Sequence, residues 1–350
     1  MKRSENSIEK YPLMIKNLVN SKAYKYCLTN LGDDDTAILN FPGGYLVTTT
    51  DFINYRPAFM DLKCGDLYDY GYLVTAANFS DLYGTGAKPY AFSVGIRLLR
   101  HHTYKDYKRF MNGVVKCCKE NDVPLVAGDT KIGNELCAVG TALGYAKSYD
   151  GLFTRDKAQP GDVICISGPV GGFNCAVSAL NNKQKMLPAR KRILVDAIVR
   201  PRLDRLLSLE LSEKKVARGG IDLSDGLSGD LYKLARASDV GVHLDVTKIP
   251  VLPWVKTIAQ KNSLPFWFYA FTTGGDYKFI FTAKKDLLKK LVSPYYAIGT
   301  ITKSKKIVLE MENREEISLP ELGHSDTGFR SFKSEINHFI GELGKRFGNG

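Results

Sequence analysis

The sequence predicts a layered protein of mixed helix and strand, α+β or α/β, arranged as two domains. Three observations carry that expectation. The chain has 350 residues, more than a single hydrophobic core usually organises. In both halves, short runs rich in β-branched residues alternate with stretches whose apolar residues recur at helical spacing. The pattern breaks near 147–152, at Lys147-Ser148-Tyr149-Asp150-Gly151, which divides residues 1–150 from 151–332 and leaves 333–350 as a polar terminal extension.

In chain order, residues 7–29 are expected to hold an opening helix and its connection. Tyr45 to Thr50 reads as a strand ending at Asp51. Asp66 to Gly84 places Leu67, Tyr70, Val74, Ala77 and Phe79 at helical spacing. Phe92–Leu99 is a strand and Tyr104–Glu120 an amphipathic helix. Val123–Ala127 is a strand that delivers Gly128-Asp129-Thr130, and Glu135–Ala146 completes the first half. Beyond the boundary, the turn Gln159-Pro160-Gly161-Asp162 leads into the strand Val163–Ser167 and the glycine-rich Gly168–Gly172. That segment reads as a tight strand-to-helix connection. The chain has no Gly-x-x-x-x-Gly-Lys-Ser/Thr, which argues against a P-loop enzyme. Gly220–Gly226 precedes an amphipathic helix, Leu227–Ala237, and strand-like runs follow at Val242–Val246, Lys278–Thr282 and Lys306–Leu309. Residues 333–350 read as a terminal helix with a frayed end.

Composition narrows the class. With 44% apolar and 25% charged residues the chain reads as an ordinary soluble protein, and no apolar run is long enough for a membrane span. Seven cysteines, with no Cys-x-x-Cys pair, suggest reduced thiols in the cytoplasm. The net charge of +12 comes from scattered Lys and Arg without aromatic interleaving, which argues against a nucleic-acid partner and fits attraction of small anions.

The chemistry lies in aspartate. Five short clusters occur, at Gly32–Thr36, Thr48–Asp51, Asn78–Asp81, Gly128–Thr130 and Asp222–Gly226, and most follow strand-like runs. Carboxylates gathered at one sheet edge would repel one another unless divalent cations lay between them. Hard oxygen donors select Mg²⁺, which commonly accompanies nucleotide phosphates. Each cluster also has a plainer reading: Asp225 as a helix N-cap, Asp162 as turn chemistry, Asp33 as a solvated side chain, and Arg155 as a salt bridge to Asp156 or Asp162. Taken together, the five clusters point to metal-nucleotide chemistry.

Ordered fragments then carry a family resemblance. They are Gly32-Asp-Asp-Asp-Thr-Ala37, Thr49-Thr-Asp51, Asn78-Phe-Ser-Asp81, Gly128-Asp-Thr130, Arg155–Asp162, Ser167-Gly168, Arg200-Pro-Arg202, Asp222–Leu227, Gly274-Gly-Asp-Tyr277 and Gly328-Phe329. In order and spacing the chain resembles thiamine-monophosphate kinases, within the superfamily of aminoimidazole ribonucleotide synthetase, selenophosphate synthetase and the hydrogenase maturation factor HypE. The resemblance implies a two-domain PurM-like fold whose N-terminal sheet pairs with a second copy in a barrel, hence a homodimer. It implies Mg²⁺ held by Asp35, Thr50, Asp51, Asp81, Asp129, Asp222 and Asp225, with either Asp34 or Asp35 as the first ligand. It implies ATP phosphates on Gly128, Asp129, Arg155 and Ser224, with Asp222, Asp225 and Arg155 at the reacting centre. The expected activity is transfer of the ATP γ-phosphate to a small anionic acceptor, most simply thiamine monophosphate.

The acceptor side departs from the family pattern. Ala58 replaces the family's histidine and Gly275 its glutamate, Arg56 adds a cation, and Phe329 matches an aromatic that stacks on the thiamine rings. Alternatives are therefore another acceptor, ATP-driven activation of a carbonyl or amide oxygen, or a nucleotide-binding paralogue without turnover.

Overall fold

The computed structural model describes residues 25–29, 33–53, 57–181, 187–271, 274–319 and 321. The expected opening and terminal helices, and Phe329, lie outside the described residues or almost so: of 7–29, only 25–29 are described, and Cys27 there makes a single bridge to Leu39.

Two sheets organise the chain. The first contains β1 (Ala37–Phe41), β2 (Gly44–Ile53), β3 (Lys88–Leu99), β4 (Leu125–Gly133) and β5 (Cys137–Ala146), in the order β1-β2-β5-β3-β4. All its pairings are antiparallel except β3 with β4. The second contains β6 (Val163–Ile166), β7 (Ala217–Asp222), β8 (Gly241–Asp245), β9 (Phe279–Ala283), β10 (Tyr296–Thr302), β11 (Ile307–Glu310) and β12 (Glu316–Ser318), in the order β12-β11-β8-β10-β6-β9-β7. Its one parallel pairing is β11 with β8. The helical segments are α1 (Ala58–Asp61), α2 (Leu67–Thr85), α3 (Tyr104–Asn121), α4 (Gly172–Asn181), α5 (Pro188–Val199), α6 (Arg205–Glu213), α7 (Leu227–Ala237), α8 (Pro253–Lys261) and α9 (Lys285–Leu288).

Helix α2 is the axis of the molecule. Asp66 caps it in a capping box with Asp69, which fixes its start where the sequence places it. Nearly every residue of α2 is buried, because one side lies on β2, β3 and β5, another on α3, and another on β7 and β9. Gly84 allows the approach to the second sheet: a Cβ there would stand 2.8 Å from the Asp222 backbone nitrogen. Helix α3 packs chiefly on α2 and touches β3, burying the stripe Phe110, Val114, Cys117 and Cys118, so the adjacent cysteines serve packing. Among the described residues no helix covers the opposite face of the first sheet, which exposes Phe52 and half-exposes Val139, Thr141 and Leu143.

Several expected strands shift rather than fail. β2 runs two residues past Asp51, and β4 begins later than expected and carries Gly128-Asp129-Thr130 within the strand instead of after it. β1, β7, β10 and β12 were not expected as strands, nor α5, α6 and α8 as helices.

Candidate functional site

The aspartates of the N-terminal half reach the site by alternation and helical spacing. On β2, Val47, Thr49 and Asp51 share the face toward α2, while Thr48 and Thr50 face away. Thr49 Oγ1 donates to Asp81 Oδ2 at 2.6 Å, and Asn78 Oδ1 accepts the Asp51 N–H at 3.0 Å. Asp81 follows Asn78 by one turn of α2, so a single helix face supports two strand residues. From the second sheet, β7 ends at Asp222, whose Oδ2 accepts from Ser80 at 3.0 Å. Its Oδ1 is buried with no hydrogen-bond partner. Asp35 comes from the loop before β1, and Asp225 from the turn between β7 and α7.

These carboxylates feel one another. Burial raises the Asp81 carboxyl well above its ordinary range, and Asp222, Asp51 and Asp35 raise it further. Burial likewise raises Asp222, followed by Asp35, Asp230 and Asp51. Asp51 is pushed up to about 6, by burial and then by Asp35 and Asp225. Tyr277 joins the group: its backbone is left-handed at φ 49°, and burial together with Asp51, Asp222, Asp81 and Asp225 raises its phenol.

Two cations offset part of this charge. Arg155 Nη2 lies 2.6 Å from Asp35 Oδ1, and Nε lies 3.7 Å from Asp34 Oδ2. Arg155 therefore pairs with the first cluster and not with Asp156 or Asp162, while neither Nε nor Nη2 meets an acceptor in hydrogen-bond alignment. Asp34 is further engaged by the main-chain N–H groups of Thr36 and Arg155, whereas Asp35 is the one of the two that acts on Asp51, Asp81 and Asp222. The second cation is Lys233, on α7, bonded to Asp225 and Asp230. Asp225 is thus an ion-pair partner, and Gly226, without a side chain, occupies the N-cap of α7. Asp162 does serve its turn, accepting from the Gln159 N–H and pairing with Arg218.

Thr50 and Asp129 are not brought to this point. Thr50 Oγ1 meets Thr141 Oγ1 on the helix-free face. The pairing Asp51–Gly140–Val94–Gly128 crosses the sheet, so Gly128 and Asp129 stand three strand spacings away, about 14 Å. The Asp129 side chain is 68% exposed beside Lys131. A groove of about 390 Å³ runs there, between β4 and the α3 residues Tyr107 and Met111. Ser224 is half-buried next to Asp225, with Gly274 packed against its carbonyl.

The glycine-rich Gly168–Gly172 is closed to phosphate. Asp276 fills its amide cradle, accepting from Gly171 N–H at 2.6 Å and Phe173 N–H at 2.9 Å. Neighbouring Gly275 has φ 117°, and a Cβ there would lie 2.5 Å from the Phe173 ring. Ala58 opens α1 and is half-buried.

Among the described residues no three acidic, histidine or cysteine side chains close tightly enough to hold an ion as they stand. The donor chemistry nonetheless fits a hard divalent cation. Several carboxylates share one buried region, and the Asp222 oxygen there has no partner.

Asp230, Lys233 and Tyr277 had not been singled out from the sequence. One signal was available: Asp230 interrupts the apolar stripe Leu227, Leu231 and Leu234 of α7, and a charged residue in a core stripe calls for a partner three or four positions away.

The fold is that of a known class. Residues 33–146 match the AIR synthase related protein N-terminal domain and residues 159–312 its C-terminal domain, and the chain belongs to that family. Within it, the chain is similar to the thiamine-monophosphate kinase of Pyrococcus horikoshii, at 29% identity over 290 residues, covering 83% of this chain and 89% of that protein. The structure of AaThiL complexed with AMPPCP and TMP superposes with a TM-score of 0.78 at 20% identity, covering 92% of this chain and 99% of that one. Thiamine-monophosphate kinase from Stenotrophomonas maltophilia K279a gives 0.68 at 26% identity, covering 86% and 96%. The PurM-like two-domain fold is thereby established.

Proposed function

We propose that this chain is an ATP-dependent kinase that transfers the γ-phosphate of ATP to thiamine monophosphate, forming thiamine diphosphate. One observation carries the reading: Asp35, Asp51, Asp81, Asp222 and Asp225 meet where the two sheets join, with a buried carboxylate oxygen left unpartnered. The naming of the similar proteins supplies the acceptor.

In this reading the five aspartates hold Mg²⁺, which when bound neutralises phosphate charge and aligns the donor. Thr49 and Ser80 hold the Asp81 and Asp222 carboxylates through their hydrogen bonds, and Asn78 holds the main chain of Asp51. Arg155, whose Nε and Nη2 lack aligned acceptors, offers donors to phosphate oxygens as it turns from Asp35. Gly128, Asp129 and Ser224 are proposed to meet the nucleotide further along its chain. Thr50 and Asp129 are left out of this ligand set, because neither lies with the cluster within one chain.

We also propose a homodimer. Among the described residues, the first sheet has one face without a covering helix and an unpaired edge at β4, where Val126 is 60% and Ile132 66% exposed. A stable monomer in light scattering would count against it. The cytoplasmic assignment rests on seven unpaired cysteines. Among the described residues, no helix is long and apolar enough to cross a membrane.

The decisive experiment is ADP release from Mg-ATP with a panel of acceptors that includes thiamine monophosphate. Release dependent on thiamine monophosphate is expected. Release with another acceptor alone would keep the kinase and change its substrate, and ATP binding without release for any acceptor would overturn turnover.

A further inference from the structure

We propose that Lys233 is a positioning residue that acts as a built-in counter-ion, competing with the divalent cation for Asp225. The inference rests on reading the aspartate cluster as a cation site. The Lys233 ammonium donates to Asp225 Oδ2 and, at 2.9 Å, to Asp230 Oδ1. These two carboxylates are not equivalent. Asp230 has no side-chain exposure, and its other oxygen accepts the Asp225 N–H at 2.9 Å, so it is committed to the junction between the turn and α7. Asp225 is 30% exposed, and Lys233 is its ion-pair partner among the described residues.

The charge inventory shows what this arrangement does. Arg155 is shared by Asp34 and Asp35, and Lys233 by Asp225 and Asp230. Asp51, Asp81 and Asp222 make no ion pair among the described residues, so they form the least compensated part of the cluster, with Lys233 acting on Asp51 and Asp222 only from a distance. A dication drawing on Asp225 must take it from the ammonium. Lys233 then weakens binding of the bare ion and is released as the ion enters. With its side chain 33% exposed, the freed ammonium is reachable from solvent, and phosphate oxygens would supply it with new acceptors. Cation and polyphosphate are thereby favoured together over the cation alone.

The test is Mn²⁺ binding to the full nucleotide-free chain, read from the free-ion electron paramagnetic resonance signal. Lys233→Met is expected to bind Mn²⁺ about tenfold more tightly, since one positive charge leaves a partly desolvated site. Lys233→Arg is expected to stay near the parent. Unchanged or weaker binding by Lys233→Met overturns the role of Lys233 and leaves the cation site standing. Absence of Mn²⁺ binding by both parent and Lys233→Met overturns the site itself. A second measurement needs no variant. Acetylation of Lys233 in the parent chain, normalised to the exposed Lys105 by peptide mass spectrometry, should quicken severalfold on adding Mn²⁺ because the ammonium loses a carboxylate that holds its proton. No change, or slower labelling, contradicts the proposal.

Discussion

The proposed donor and acceptor sides of the site are built on opposite principles. On the donor side, Asp51, Asp81 and Asp222 are crowded and buried, with hydrogen bonds from Thr49 and Ser80 fixing them in place but no cation paired with them. On the acceptor side, Ala58 and Gly275 bring no polar side-chain atom, and the Phe173 ring fills the space beside Gly275. Crowded carboxylates cost stability and are retained only where a ligand offsets them. An apolar, well-filled corner is stable as it stands. Replacements on the donor side should therefore trade binding for stability, whereas replacements on the acceptor side should cost stability with no return.

The largest effect is expected at Asp222. Asp222→Asn removes the negative charge and replaces one carboxylate oxygen with an NH₂ group that cannot ligate a cation, so Mg-ATP turnover should fall by about a thousandfold or more. In chelator the same variant should be more stable than the parent by about 1–3 kcal/mol, because one of several mutually repelling buried charges is gone. Thermal melts in EDTA and a Mn²⁺ titration check both halves. A variant that binds less Mn²⁺ and also melts lower would break the proposed trade.

Gly275→Glu tests the other side, since it restores the residue type of the resembling kinases. The left-handed φ of 117° and the Phe173 ring 2.5 Å from the new Cβ both oppose it. A loss of about 2–4 kcal/mol in urea unfolding is expected, with no fall in KM for thiamine monophosphate. A tighter KM would show that the backbone relaxes and that the corner is an acceptor pocket lacking only its carboxylate.

How far the sequence foretold this contrast depended on whether neighbours in the chain carry the signal. Asp51 on β2 and Asp81 on α2 were legible from local periodicity, although β2 continues past Asp51. Asp222 was legible only through its Asp-Leu-Ser-Asp-Gly cluster, because strand β7 was not expected. The placement of Gly128-Asp129 was not legible. Glycine signals a turn, yet the parallel pairing Val94–Gly128 extends β4 through it, a tertiary contact with no local trace. Arg155 was recognised, but its partners were sought among nearby acids, while Asp34 and Asp35 lie more than a hundred residues earlier. Lys233 escaped notice because a lysine on an amphipathic helix usually reads as solvated. Only the buried Asp230 one turn before it argues otherwise.

Adjacent threonines offer a smaller and cleaner version of the donor-side test. Thr49→Val removes the buried hydrogen bond to Asp81 and leaves that carboxylate short of a donor, so about 1–2 kcal/mol of stability should be lost in chelator. Mn²⁺ binding should weaken only modestly, since the Asp81 oxygens remain.

The smallest effect is expected one residue further on. Thr50 faces the helix-free side, where its hydroxyl meets Thr141 in an exposed pair, and valine suits a strand at least as well as threonine. Thr50→Val should therefore change stability by no more than about 0.5 kcal/mol. Within one chain it should also leave Mn²⁺ binding unaltered, and the exposed Asp129 should behave likewise as Asp129→Asn. The two variants together sharpen the picture of where the site ends. If both leave Mn²⁺ affinity unchanged in the nucleotide-free protein while Asp222→Asn abolishes it, the cation is held on the α2 side of the sheet alone. If either weakens binding as much as Asp222→Asn does, residues on the uncovered face belong to the ion's surroundings. With strand alternation separating the two faces, that outcome would require the uncovered sheet of one copy to bring its Thr50 or Asp129 toward the site of another, and the oligomeric state would then be part of the chemistry.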